Sequence, residues 1–229
     1  MPRIARVVVP GVPHHLTQRG NRSGPVFFSD ADRTRYLELL GEYASRTGFE
    51  VLAYCLMTNH VHLVVVPERK DSLAMAFKPL NLRYAVHINR AQGWRGRLWQ
   101  ERFYTCPLDP PHCLRAARYV ELNPIRAKLV GRPADYLWSS AQGHLGQRTD
   151  PLLSDRQGHL SSVPSWPEWL QVGETPDESK LLRLHTRTGR PLGGQGFVAR
   201  IEERLGRVVR ARPRGRPPKS RPEAEDGGR

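Results

Sequence analysis

The hydrophobic pattern of the first half of the chain predicts two neighbouring strands. In the segment FEVLAYCL (49–56) apolar side chains alternate well enough for a strand, and the segment NHVHLVVV (59–66) follows after only a few residues. The β-branched and aliphatic run Leu63–Val66 is typical of a buried strand. We therefore expect a β-hairpin that contains His60 and His62.

Two periodic segments predict helices on either side of this hairpin. The first is expected over residues 30–47, because Ser29 begins a capping box and Gly48 is a typical helix stop. The second opens at Ser72, and its internal Pro79 indicates a kink. The positions that recur at helical spacing on one face are Tyr36, Leu40, Tyr43 and Thr47 in the first helix and Phe77, Leu80, Tyr84 and Ile88 in the second.

Three further segments complete the predicted domain. HHLTQRG (14–20) ends at a Gly-Asn turn signal and predicts a first strand, and the short aromatic segment LWQERFYTC (98–106) predicts a fourth. The prolines that open DPPHCLRAARYVELNPIRAKLV (109–130) suit a first helical turn, and this third helix should run until Pro124, which disfavours helical geometry at Asn123. The order β-α-β-β-α-β-α is most economically an α+β, ferredoxin-like fold, with two helices packed on one face of a mostly antiparallel sheet.

Beyond Trp138 the periodic pattern weakens. We place a main domain at residues 1–145, followed at 146–178 by a linker or covering segment rich in Pro, Gly and Ser. Residues 179–209 predict a small helical region. The polar, proline-rich tail at 210–229 is expected to be disordered on its own.

Basic residues dominate the charge of the chain. Its 36 Lys and Arg against 22 Asp and Glu give a net charge of +14 and a pI near 10.5, which points to polyanionic partners, nucleic acid first and membrane surfaces second. No apolar stretch approaches the roughly 20 residues of a membrane-spanning helix, and the apolar core of the N-terminal segment is too short for a signal peptide, so we expect a cytoplasmic protein. Cys55, Cys106 and Cys113 form no C-x-x-C motif, which argues against a disulfide framework and a zinc ribbon.

The predicted hairpin brings two histidines to one face of a strand. Residues i and i+2 of a strand point to the same side, so His60 and His62 present two imidazoles next to each other. This pair is half of a metal site. The alternative is a structural pair, hydrogen-bonded at the end of a strand.

The third predicted helix offers a matching pair of side chains. Tyr119 and Asn123 are four residues apart and therefore lie on the same helical face, within roughly 6 Å of each other. If this face lies opposite the histidine strand, a phenol and an amide oxygen join the two imidazoles. The alternative is that Tyr119 is a core aromatic and that Asn123 ends the helix before proline.

Five motifs, in order along most of the chain, resemble those of single-tyrosine HUH transposases, specifically the REP-associated tyrosine transposases of bacteria. They are HHLTQRGN, NHVHLV, LWQERF, YVELNPIRA and HTRTGRPLG. The resemblance implies that the main domain is catalytic, that His60 and His62 ligate a metal with Asn123 as the third ligand, and that Tyr119 is the nucleophile. Related insertion-sequence enzymes carry Gln at the position of Asn123.

The activity implied by the resemblance is the cutting and rejoining of single-stranded DNA at repetitive hairpins, namely repetitive extragenic palindromes, through a 5′-phosphotyrosine. A phenol with a pKa of about 10 is a poor nucleophile at neutral pH and needs a nearby cation and a polarised electrophile. A divalent ion held by two imidazoles and an amide oxygen keeps positions open for phosphate oxygens. We expect Mg²⁺ in cells with Mn²⁺ substituting well, because imidazole ligands favour Mn²⁺ and later metals.

Basic residues interleaved with aromatic ones predict a surface for single-stranded DNA. The candidates in the main domain are Arg83, Arg90, Arg95, Arg97 and Arg102, with Trp94, Trp99 and Phe103. The alternative is a solvated basic face over core aromatics. In the tail, RPRGRPPK (212–219) resembles an AT-hook, in which Arg214 and Arg216 enter a narrow A·T minor groove, and a generic electrostatic tail is the alternative.

Two other classes of function fit the same residues. One is a domesticated transposase that acts only as a DNA-binding regulator of repeat elements, and the other is a metal-dependent RNA nuclease. A covalent protein–oligonucleotide adduct separates the transposase from both. The sequence leaves monomer and homodimer open.

Overall fold

The computed structural model describes residues 5–211 and contains a four-stranded sheet. The strands are β1 His14–Arg19, β2 Phe49–Met57, β3 His60–Pro67 and β4 Tyr104–Pro107. They lie in the order β2-β3-β1-β4, and every neighbouring pair is antiparallel. This arrangement confirms the predicted α+β, ferredoxin-like fold.

Eight α-helices are present in the described part of the chain. Their bounds are α1 Asp30–Thr47, α2 Ser72–Gln92, α3 Pro110–Glu121, α4 Asn123–Arg126, α5 Ala141–His144, α6 Trp166–Gln171, α7 Pro176–Thr188 and α8 Gln195–Leu205. The predicted bounds of α1 are confirmed, since Ser29 forms the capping box and Gly48 ends the helix in the left-handed region at φ 70°. Helix α2 continues through Pro79.

Helices α1 and α2 pack on one face of the sheet, as predicted. The buried side chains on this side come from both layers, with Leu16, Tyr54 and Leu63 from the strands and Tyr36, Leu40, Phe77 and Tyr84 from the helices. Helix α3 packs on the opposite face against β2 and β3, where Ala116 and Val120 belong to the same cluster as Cys55 and Val64. Because side chains alternate along a strand, the even-numbered residues of β3 face α3.

The predicted fourth strand is shorter than expected. The pattern predicted a strand over 98–106, whereas β4 spans only Tyr104–Pro107. Residues 98–103 bury apolar side chains in the core and make isolated backbone hydrogen bonds with the end of β1, such as that from the Gln100 N–H to the carbonyl of Arg19 at 2.9 Å. The aromatic and apolar composition of this segment indicates that its side chains are buried. Here they are buried without the regular hydrogen bonds of a strand.

The expectation of non-helical geometry at Asn123 was wrong. The chain turns at Leu122, and Asn123 begins the short helix α4. Pro124 takes the second position of α4, where a residue needs no N–H donor, so proline starts a new helical turn here.

The C-terminal segments pack against the main domain. Helix α7 begins at Pro176 behind a capping box formed by Thr175 and Glu178, and it contacts α3, β1 and β4. Helix α8 packs on the N-terminal segment, with Ile201 in a buried cluster with Val7 and Val9.

The predicted tail lies largely outside the described residues. Arg214 and Arg216, the two arginines of the AT-hook prediction, belong to this undescribed part. Within residues 5–211, no helix is both long and apolar enough to cross a membrane. The three cysteines are buried free thiols.

Candidate active site

The site is built on the first residues of β3. His60 pairs with Met57 of β2 and Arg19 of β1, and His62 pairs with Cys55 and Thr17 in the same way. Both histidines face α3, and their ring centroids lie 4.8 Å apart. The predicted juxtaposition of the two imidazoles is therefore a feature of the structure.

The Nδ1 atom of each histidine has a polar partner. Nδ1 of His60 lies 2.6 Å from Oδ1 of Asn59, and Nδ1 of His62 lies 3.0 Å from Nε2 of His15. Among the described residues, Nε2 of neither histidine takes part in a hydrogen bond. A ligating histidine in a protein commonly uses one nitrogen for the metal and engages the other in a hydrogen bond, and this pair has that arrangement.

Both imidazoles are held in the neutral form. Burial, together with the charges of Arg19 and Arg126, lowers the pKa of His60 to about 4. Burial also lowers the pKa of His62 well below its ordinary value, and the neighbouring His60 and His15 add to the effect. Neutral imidazole is the form that binds a metal ion.

Helix α3 brings Tyr119 to the histidines. Asp109 caps the start of the helix, since its carboxylate accepts a hydrogen bond from the His112 N–H at 3.0 Å, and two prolines occupy the first turn. The Tyr119 ring packs edge-on against His62 and His15, with centroid distances of 5.4 and 5.8 Å. Tyr119 is therefore both a buried aromatic, 4% exposed, and a neighbour of the predicted ligands.

Arg126 lies directly on the tyrosine. The carbon of its guanidinium is 4.2 Å from the centre of the Tyr119 ring, and the guanidinium also pairs with Glu174 at 2.7 Å. Burial raises the pKa of Tyr119, whereas the positive charges of Arg126 and Arg183 act in the opposite direction. Arg126 therefore places a positive charge next to the Tyr119 ring.

Asn123 is tied into this arrangement by both ends of its amide. Its Nδ2 donates to the Tyr119 carbonyl at 3.0 Å, and its Oδ1 accepts from Nη2 of Arg126 at 2.6 Å. The orientation of the amide is thus fixed, and a carbonyl oxygen retains a second lone pair for another partner.

The donor set fits a divalent ion of the Mn²⁺ or Mg²⁺ type. Within residues 5–211, no group of three His, Cys, Asp or Glu side chains could hold a metal. A metal bound by the two imidazoles would therefore take its other ligands from neutral oxygens, such as the Asn123 amide oxygen that the resemblance implies, and from substrate or solvent. Such a set would leave several coordination positions open.

Two neighbours of the histidines were not predicted. His15 belongs to the first strand, where its alternation places it on the same face as Thr17 and next to His62. Arg126 follows Asn123 by three residues, which is the spacing of one helical turn, and this spacing was the signal that could have identified it.

A family model described as Transposase IS200 like matches residues 9–123, about half of the chain. The chain belongs to this transposase family. The match includes His60, His62 and Tyr119 and ends at Asn123, so helix α7 of the transposase lies beyond it.

Two of the solved structures that the transposase is similar to are themselves described as transposases. The transposase is similar to a REP-associated tyrosine transposase bound to a REP hairpin, with a TM-score of 0.55 at 17% identity over 68% of this chain and 92% of that chain. A Deinococcus radiodurans R1 protein described as a transposase is also 17% identical, over 56% of this chain and 92% of its own, with a TM-score of 0.37. No curated protein matches.

The basic residues predicted to bind DNA fall into two groups in the transposase. Those whose side chains are exposed and make no ion pair among the described residues are Arg90, Arg95, Arg97 and Arg102. Arg83 instead contacts both carboxylate oxygens of Glu42, at 2.7 and 2.8 Å. Its charge is therefore partly neutralised.

The two predicted tryptophans differ in exposure. Trp99 is only 9% exposed, packs against Tyr36 and Tyr84, and donates its indole N–H to the carbonyl of Asn81. Trp94 is 47% exposed and leaves part of its ring open to a base. Trp94 is therefore the better stacking surface of the two.

A groove of about 660 Å³ lies between α2 and residues 96–103. Its basic rim includes Arg97 and Arg102, and its floor includes Trp99. The same 96–103 stretch is hydrogen-bonded to the end of β1, through Gln100 N–H and the carbonyl of Arg19, and Arg19 pairs with His60. We call this surface the α2 groove, and it borders the end of the sheet that carries the histidines.

The last residue of α3, Glu121, is fully buried and fixes the end of this helix. Its Oε1 accepts from the Ser140 hydroxyl and contacts Nδ1 of His144 at 2.6 Å, and its Oε2 accepts from the Trp166 indole at 2.7 Å. The Glu121 carboxylate therefore links the end of α3 to the segment that contains α5 and to α6.

We expect Glu121→Gln to lower the free energy of unfolding of the transposase by about 2–4 kcal/mol, because the amide nitrogen cannot accept from a donor that the carboxylate satisfied. Urea unfolding followed by circular dichroism measures the change. The control is Glu38→Gln, since Glu38 is exposed and its one ion pair among the described residues is with Arg35, and its effect should stay below about 0.5 kcal/mol. Equal effects of the two substitutions would contradict a structural role for Glu121.

Proposed function

We propose that this transposase is a metal-dependent single-stranded DNA endonuclease and strand transferase that acts at repetitive hairpin DNA through a 5′-phosphotyrosine. The observation that carries the proposal is the position of the Tyr119 ring, packed 5.4 Å from the imidazole of His62 and beneath the guanidinium of Arg126. The proposed nucleophile Tyr119 therefore contacts both the proposed metal ligand His62 and the cation Arg126 in the same site. A purely structural tyrosine does not need either polar neighbour.

Tyr119 supplies the attacking oxygen. The phenol oxygen forms a bond to phosphorus while the bond from phosphorus to the 3′ oxygen breaks, and the phenol proton is recovered on the departing 3′-hydroxyl. The positive charge of Arg126 opposes the effect of burial on the tyrosine pKa and so favours the ionised phenol during attack. One phosphate ester replaces another, so a second 3′-hydroxyl can rejoin the strand without ATP.

His60 and His62, through Nε2, and Asn123, through Oδ1, are the groups that would hold Mg²⁺ or Mn²⁺. When bound, the ion supplies charge to the non-bridging oxygens of the scissile phosphate and orients it for in-line attack. The protein's own part is to keep both imidazoles neutral by burial and to fix the Asn123 amide through Arg126 and the Tyr119 carbonyl.

The proposed substrate is single-stranded DNA that folds into a hairpin. The fold is shared with a transposase that was solved bound to a REP hairpin, and the net charge of +14 suits a polyanion. The α2 groove offers exposed guanidinium groups next to the sheet end that carries His60. We propose it as the path of the strand that leads to the site.

Trapping the covalent intermediate tests the proposed activity. The protein is incubated with a 3′-labelled single-stranded hairpin and Mn²⁺, because a 5′-phosphotyrosine retains the fragment on the 3′ side of the cut, and is then boiled in detergent and separated by electrophoresis. A labelled band at the mass of the protein plus this 3′ fragment supports the proposed transposase chemistry. Binding without cleavage would instead favour a DNA-binding regulator, and cleavage of RNA without an adduct would favour a hydrolytic nuclease.

We expect Arg97→Ala/Arg102→Ala to weaken hairpin binding by about 10- to 100-fold at 0.1 M salt and to reduce the slope of log K against log salt by about 2, because each arginine that contacts a phosphate releases about one counterion. Fluorescence anisotropy over a salt series measures both quantities. Cleavage at saturating DNA should stay within about twofold.

The control for this pair of substitutions is Arg132→Ala. Arg132 is exposed, pairs with Asp135 and lies outside the α2 groove. It should leave the salt slope unchanged. If the double variant shows the same salt slope as the parent, the DNA does not run along the α2 groove.

A further inference from the structure

A continuous chain of hydrogen bonds runs from helix α7 to His62. The Thr186 hydroxyl donates to the Leu182 carbonyl at 2.8 Å, and its oxygen lies 2.7 Å from Nδ1 of His15. Nε2 of His15 then lies 3.0 Å from Nδ1 of His62. His15 is 1% exposed and Thr186 is 3% exposed, so water does not compete for these contacts.

The direction of each bond follows from counting protons. A hydroxyl has one proton, and because Thr186 gives it to the Leu182 carbonyl, its oxygen accepts from His15. His15 must therefore carry its proton on Nδ1. The remaining nitrogen of a neutral imidazole, Nε2, is an acceptor, so Nδ1 of His62 is the donor of the last bond.

Among the described residues, the other neighbours of Thr186 and His15 agree with this assignment of protons. The other polar neighbour of the Thr186 oxygen is the Cys106 thiol at 3.4 Å, which can donate its own proton to the same oxygen. The other ring beside His15 is that of Tyr119, which meets it edge-on. No carboxylate contacts His15 among the described residues, and its imidazole is only 1% exposed, so neither a partner nor water stabilises a charged ring there.

We propose that Thr186 and His15 form a relay that fixes the tautomer of His62, leaving its Nε2 bare for a metal ion. The inference rests on the proposed function for the metal-ligand role of His62. Both residues of the relay are positioning residues, since neither is proposed to touch metal or DNA. Thr186 lies 63 residues beyond the end of the family-model match, so helix α7 completes the metal site of the main domain.

The relay has a direct spectroscopic signature that needs neither metal nor DNA. In the chelator-treated, ¹⁵N-labelled full-length protein, long-range ¹H–¹⁵N correlation spectra distinguish a protonated ring nitrogen from a bare one. We expect His62 and His15 both to carry the proton on Nδ1. A proton on Nε2 of His62 would overturn the proposal whatever the variants do.

The substitution that breaks the relay with least change of shape is Thr186→Val. Valine keeps the volume and removes the hydroxyl, so His15 no longer has an acceptor for its Nδ1 proton. The His15–His62 pair can then reverse, with Nε2 of His15 as the donor and the His62 proton on Nε2. We expect part or all of the His62 population to show this reversal. Thr186→Ser retains the hydroxyl and should keep the parent tautomer.

Metal affinity provides the second measurement. Titration with Mn²⁺, followed by the electron paramagnetic resonance of the free ion, should show an affinity loss of about 10- to 100-fold for Thr186→Val and a change within about threefold for Thr186→Ser. A valine variant with parent tautomer and parent affinity would overturn the relay. If the valine variant does not fold, the parent spectrum and the serine variant still decide the outcome.

Failure of the relay can be told apart from failure of the proposed function. A parent protein with the expected tautomers that forms no covalent adduct would refute the transposase chemistry and leave the relay intact. A parent protein that forms the covalent adduct, but in which His62 is protonated on Nε2, would support the transposase chemistry and refute the relay. A parent that does not bind Mn²⁺ would refute the metal role of His62, and with it the purpose assigned to the relay.

Discussion

Tyr119→Phe is expected to abolish strand cleavage and adduct formation together, with a loss on the order of 10⁴-fold or more, because the substitution removes the attacking oxygen and, within residues 5–211, no other tyrosine ring packs against His62. The ring itself should stay in place, since its edge-on contacts with His62 and His15 involve carbon atoms that phenylalanine retains. The cation over the ring also keeps its partner. Folding, Mn²⁺ binding and hairpin affinity should therefore stay close to those of the parent.

The measurement compares parent and variant on a radiolabelled single-stranded hairpin with Mn²⁺ and records both the cut strand and the detergent-resistant band. Tyr104→Phe is the matched control, because Tyr104 is the tyrosine at the start of β4 and its hydroxyl contacts Glu101 instead of the histidines. It should cut and form the adduct like the parent. An adduct formed by the Tyr119 variant would show that another residue is the nucleophile. Cutting without an adduct would show that water, and not a tyrosine, attacks the phosphate.

Features with a local cause could be predicted from the sequence. Helix α1 was bounded correctly because Ser29 and Gly48 mark its ends within the chain itself. The histidine pair depends only on the alternation of β3, so its common face follows from a spacing of two. The side of the sheet on which Tyr119 lies could be predicted only in outline, because it depends on how α3 crosses the sheet.

The contacts that the sequence did not reveal join distant positions. His15 and Thr186 are 171 residues apart and meet because β1 lies beside β3 while α7 folds back over β1 and β4. The hydrophobic periodicity of the sequence does not indicate that these two residues meet. Trp99 was predicted as a stacking surface on composition, yet its ring fills the core beside Tyr84, since an aromatic next to arginine has the same sequence pattern whether it faces solvent or not.

The second large effect concerns the histidines themselves. His60→Ala and His62→Ala should each eliminate detectable cleavage at Mn²⁺ concentrations up to the millimolar range, because one imidazole and one amide oxygen are too few protein ligands to retain a divalent ion. Asn123→Ala should be milder, since a water molecule can replace a neutral oxygen ligand. The order of the three losses is therefore part of the prediction.

Stability has to be separated from metal binding in this series. His62→Ala also leaves Nε2 of His15 without its donor, at a cost of about 1–3 kcal/mol, whereas His60 is only partly buried and its loss should cost less. Melting temperature and free-Mn²⁺ titration are measured for each variant beside cleavage. His87→Gln is the histidine control, because His87 lies on α2, which packs on the face of the sheet opposite α3. The prediction requires that both alanine variants lose Mn²⁺ binding while still folded at the assay temperature. If they fold, and if they cut the hairpin as the parent does, then β3 holds a structural histidine pair, and the positive charge that assists Tyr119 comes from arginines, such as Arg126 and Arg183, instead of a metal ion.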